Sequence, residues 1–101
     1  MRLPESDINI IKRVAHEVWG DRVIVYLFGS RADDSEKGGD IDLLIKLPEE
    51  PEPGKIMLKK SEFLAKLEVL LGEQKFDLVI QTPYNYHLPI IKTALAKGVE
   101  L

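Results

Sequence analysis

Apolar and polar positions alternate along this chain with two periods, and the switches between them predict six elements. Over residues 6–19, SDINIIKRVAHEVW, the apolar positions Ile8, Ile11, Val14, Ala15 and Val18 recur at helical spacing; Ser6 or Asp7 can cap the start, and Gly20 and Asp21 stop the helix. Residues 22–28, RVIVYLF, are β-branched and aromatic over the length of a buried strand, which Gly29 ends. Residues 31–39, RADDSEKGG, have no apolar face and predict a loop, and 40–47, DIDLLIKL, predict a second strand. The proline-rich connection 48–54 prevents helix until Lys55. A helix is then expected over 55–71, with Met57, Phe63, Leu64, Leu67, Leu70 and Leu71 as its apolar stripe opposite Lys59, Lys60, Lys66 and Glu68, and Gly72 as its stop. A short strand over 75–81, KFDLVIQ, and the turn 82–89, TPYNYHLP, lead to a last helix that has Pro89 in its first turn and Ile91, Ala94 and Leu95 facing inward before Gly98. The order helix, strand, strand, helix, strand, helix is that of an α/β chain.

Composition narrows this picture. A chain of 101 residues is expected to form one domain, residues 1–101, with a modest core. With no cysteine, disulfides, cysteine-based zinc sites and thiol catalysis are excluded. No apolar run approaches the roughly 20 residues that span a bilayer, and MRLPESD lacks the apolar stretch of a signal peptide, so a cytoplasmic protein is the expectation. A net charge of -3 argues against a direct nucleic-acid partner.

The candidate chemistry lies in 28-FGSRADDSEKGGDIDLLI-45. Carboxylates lose their water inside an apolar strand and need a compensating partner. Side chains two apart on a strand share a face roughly 6.6 to 6.8 Å apart, so Asp40 and Asp42 are expected side by side while Ile41 and Leu43 enter the core. Two such anions are a natural ligand pair for a hard divalent ion such as magnesium. Asp77, between Phe76 and Leu78, joins them if its strand lies beside the second. Three carboxylates suit two ions, the arrangement that activates an attacking oxygen and stabilises a leaving phosphate. At the end of the first strand, Gly29 lets backbone approach a phosphate, the amides that follow present donors, and Ser30 adds a hydroxyl. Arg31 either forks to a phosphate oxygen or pairs with Asp33 or Asp34.

The residues Gly29-Ser30, nine further positions, Asp40-x-Asp42 and a later Asp77 resemble the DNA polymerase β-type nucleotidyltransferase superfamily. More narrowly, LFGSRA followed by DIDLLI is similar to the minimal nucleotidyltransferases, the MntA-type antitoxins, and PIIKTALAKGVEL is similar to their last helix. The resemblance implies an α/β (α+β) fold with a small mixed sheet flanked by helices and Mg-ATP as the nucleotide source. It also implies metal ligation by Asp40, Asp42 and Asp77, and nucleotide contacts from Gly29 and Ser30. It further implies a helical HEPN-domain partner, a HepT-type toxin silenced by AMP transfer to a tyrosine. Two departures stand out: many relatives carry a glycine near Asp34, and a serine where this chain has Gly39, which supplies no hydroxyl. After three helices and three strands few residues remain to bind an acceptor, so the acceptor is expected on a partner protein or a second subunit. A binding module that neutralises its partner by contact is the rival expectation.

Elsewhere the plainer readings prevail. His16 and His87 are read as structural, Trp19 as a core anchor, Lys92 as a solvated lysine, and Glu49, Glu50 and Glu52 as a solvated loop. Tyr84 and Tyr86 are read as loop packing, with stacking on a base as the alternative.

Overall fold

A computed structural model describes residues 3–29 and 39–101. Its elements run α1 (Glu5–Trp19), β1 (Ile24–Phe28), β2 (Ile41–Lys46), α2 (Lys55–Leu71), β3 (Phe76–Gln81), α3 (Pro89–Lys97) and β4 (Val99–Glu100). The strands form one mixed sheet of order β3-β2-β1-β4. β1 is antiparallel to β2 and β4, whereas β2 and β3 are parallel and joined through α2, as parallel neighbours require a crossover.

Strand alternation assigns the two faces of the sheet. Val25 and Leu27 of β1 and Ile41, Leu43 and Ile45 of β2 turn to one face, where they meet Ile11, Val14, Ala15 and Val18 of α1 and Phe63 and Leu67 of α2. Trp19 closes this core edge-on against Phe63, with ring centroids 6.2 Å apart. The other face is smaller: Leu44 is buried beneath Ile91 and Ala94 of α3, with Tyr26, Phe28, Val79 and Leu95 packed around them. Asp42, two residues before Leu44, and Asp77 project to this second face as well.

Four expectations are corrected. Helix α1 begins one residue early: Pro4 is its N-cap, without a side-chain bond, and its carbonyl accepts from the amides of Asp7 and Ile8, so Ser6 and Asp7 lie inside the first turn. Asp7 still favours that end of the helix dipole. Asp40 precedes β2 instead of starting it, its position held because the Ile41 amide donates to the Lys75 carbonyl at 2.9 Å. On α2 only Phe63 and Leu67 are buried, while Met57 and Leu70 are 68% and 46% exposed, because the helix meets the sheet and α1 along a narrower strip than its apolar stripe offers. Finally, β4 extends the sheet by two residues after α3, too short a run to show a period.

Candidate active site

β2 and β3 lie in register so that Asp42 and Asp77 are direct neighbours across the parallel pair, and in-register residues project to the same face. The flanking Ile41 and Leu43 are fully buried on the opposite face, which fixes the direction of Asp42. Across the antiparallel pair, Asp42 stands opposite Phe28, the last residue of β1. Gly29 follows with φ +71°, and a Cβ built there would collide with a carboxylate oxygen of Asp42 and lie 3.0 Å from its Cγ. The glycine therefore serves two ends: it takes a left-handed turn and leaves room for the Asp42 carboxylate.

Asp42 titrates above its ordinary value of 3.8. Burial is the largest cause, followed by a hydrogen bond with Asp77 and the negative charges of Asp77 and Asp40, while Lys75 works in the opposite sense. Asp40 stands apart from that pair, with Lys75 Nζ 3.6 Å from its Oδ2. The arrangement is thus two plus one, and among the described residues no group of three His, Cys, Asp or Glu side chains is set to hold a metal ion.

The donor chemistry nevertheless fits a hard cation. All three side chains offer carboxylate oxygens, Asp42 and Asp77 stand side by side in register, and Gly29 leaves space that any side chain would fill. Asp40, Asp42, Asp77 and Gly29 are brought to one end of one sheet face. Ser30 and Arg31, with Asp33, Asp34 and the rest of residues 30–38, lie outside the described residues. Lys75 went unnoticed in the sequence, although a cation two positions before a strand carboxylate is a readable signal for a shared face.

The remaining candidates lie elsewhere. Tyr84 and Tyr86 are 76% and 59% exposed, so they are not packed into the loop as expected. Their loop leaves from the far end of β3, about 13 Å along the strand from Asp77. It is held by the Thr82 amide donating to Asn85 Oδ1 and by Asn85 Nδ2 donating to the Ile80 carbonyl. His87 is exposed beside the ring of Tyr86, His16 is exposed on α1, and Lys92 is exposed on α3. Glu49, Glu50 and Glu52 are exposed, with Glu49 paired to Arg22. Among the described residues no helix is long and apolar enough to cross a membrane.

A search of curated proteins found no match. The family model for polymerase beta nucleotidyltransferases matches residues 5–101, a span that includes the in-register aspartates and the glycine corner. With that match over nearly its whole length, the chain belongs to the polymerase beta nucleotidyltransferase family.

Proposed function

We propose that this nucleotidyltransferase moves AMP from ATP to a hydroxyl of a partner protein. The observation that carries the reading is the in-register meeting of Asp42 and Asp77 beside Gly29, with Asp40 at the mouth of the same face. In the reaction, the acceptor oxygen bonds to the α-phosphorus, the bond from that phosphorus to the pyrophosphate oxygen breaks, and the hydroxyl proton passes to solvent. Divalent ions, when bound, neutralise the triphosphate and lower the proton affinity of the attacking hydroxyl.

The chain's own contribution is placement and charge. Asp40 and Asp42 would hold the ions beside the triphosphate, and Asp77, exposed on the edge strand, would complete the ligand set nearest the attacking hydroxyl. Gly29 keeps the corner open for phosphate beside Asp42. A site of this kind works by positioning and electrostatics and needs no histidine.

The likeness to the minimal nucleotidyltransferases favours a tyrosine on a HEPN-domain toxin as the acceptor and an antitoxin role for the transfer. Incubating the protein with α-labelled ATP, magnesium and the product of its neighbouring gene is expected to label that product. An unlabelled neighbour, with the fold intact, overturns the reading.

A second reading, neutralisation by contact, is favoured by the exposed apolar side chains of α2, Met57, Leu58 and Val69. The variant Asp42→Asn separates the two. Transfer requires that neutralisation disappear while the complex persists; contact requires that it survive.

A further inference from the structure

We infer that Lys75 is a positioning residue of the carboxylate site: it holds Asp40 apart from the Asp42–Asp77 pair until a divalent cation takes its place. The inference rests on the nucleotidyl-transfer reading of the site and extends it to a residue outside the three aspartates.

Geometry places Lys75 for this role. It lies one residue before β3 and two before Asp77, and its carbonyl accepts the Ile41 amide at 2.9 Å, which ties its backbone to the residue between Asp40 and Asp42. Its ammonium is therefore tethered at the rim of the site whichever anion it faces, and in this structure it faces Asp40 Oδ2 at 3.6 Å. Asp42 and Asp77, one strand position further on, stand side by side in register, and the charge of Lys75 reaches Asp42 as well. The ion pair accounts for the two-plus-one arrangement, because a carboxylate directed to Lys75 does not complete a group of three.

The strength of the pair suits an exchangeable partner. The side chains of Lys75 and Asp40 are 71% and 46% exposed, and ion pairs so open to water add little to stability. A lysine ammonium is a single mobile charge on a flexible stem, able to leave one carboxylate without disturbing the backbone. A divalent ion among Asp40, Asp42 and Asp77 gathers all three carboxylates and repels the ammonium, so the two cations compete for Asp40. Removing the ammonium then favours the ion by about three- to tenfold, the scale of one like-charge contact at the protein surface.

Manganese binding to the protein alone, followed by the loss of the free-ion electron paramagnetic resonance signal, tests this without nucleotide or acceptor. Lys75→Met is expected to bind the ion about three- to tenfold more tightly than the unchanged protein, while Lys75→Arg, which keeps the charge, stays within about twofold of it. Lys59→Met, on the opposite side of the sheet on α2, controls for net charge and is expected to change nothing. Thermal melts establish that each variant is folded, which the exposure of Lys75 leads us to expect. Ion affinity unchanged or weakened in folded Lys75→Met, with the unchanged protein binding the ion, overturns the role of Lys75 and leaves the transfer reading standing. Failure of the unchanged protein to bind manganese at all overturns the metal-dependent reading itself.

Discussion

Asp42 concentrates the conflict between stability and function in one side chain. Its carboxyl is held above the ordinary value of 3.8, so the folded state binds a proton more tightly than the unfolded chain does. The favourable contribution of that proton is present at low pH and is lost as pH rises through the raised value, leaving the ion-free protein less stable at neutral pH. Asp42→Asn is therefore expected to raise the melting temperature of the ion-free protein at pH 7, with the gap closing below about pH 3.8; pH-dependent thermal melts of both proteins measure it. The same variant is expected to lose nucleotidyl transfer in the labelling assay by about a hundredfold or more, in the range seen when one group that stabilises transition-state charge is removed. Gly29 is bound to Asp42 by space. Gly29→Ala adds a methyl in a left-handed backbone and against the Asp42 carboxylate, and is expected to cost roughly 1–2 kcal/mol or more in urea unfolding.

At the scale of elements, α2 has the sharpest division between a packed and an open side. Leu67 is fully buried between the sheet and α1, and Leu67→Ala is expected to destabilise by about 2–5 kcal/mol through the cavity it leaves. Val69, two positions on, is 84% exposed, and Val69→Ser is expected to change stability by no more than about 0.5 kcal/mol. Denaturant midpoints compare the two. If partner binding weakens in Val69→Ser while nucleotide labelling of other acceptors is unchanged, this side of α2 is the docking face. The helix also shows where periodicity reaches its limit. Met57 and Leu70 share the apolar pattern of Phe63 and Leu67, and only the width of the surface that meets the helix decides which are covered. Tyr84 and Tyr86 teach the same lesson: their turn was legible from proline and asparagine, but their exposure follows from the hydrogen bonds that brace the loop at the far end of β3.

For the whole molecule, the two sheet faces divide the work. One carries the main core with α1 and α2; the other carries both α3 and the carboxylates. A ligand bound only by the folded state stabilises by mass action, about 2.7 kcal/mol at a hundredfold excess over its dissociation constant. Magnesium with ATP is thus expected to raise the melting temperature of the unchanged protein in a concentration-dependent way, and to have far less effect on Asp42→Asn; scanning calorimetry at graded concentrations checks both.

Local pattern by itself determined that α1, β1, β2, α2, β3 and α3 would form, because burial of one stripe or one strand face is written in neighbouring residues. It also marked Asp40, Asp42 and Asp77 as carboxylates that apolar strands retain only for a reason. Tertiary structure alone decided that β3 pairs with β2 in the register that sets Asp77 beside Asp42, and that Gly29 comes up against that carboxylate. It alone turned Asp40 to Lys75 and added β4 at the edge. These are contacts between residues far apart in the chain, and strand register is settled by which faces the assembled helices bury, a quantity no single segment contains.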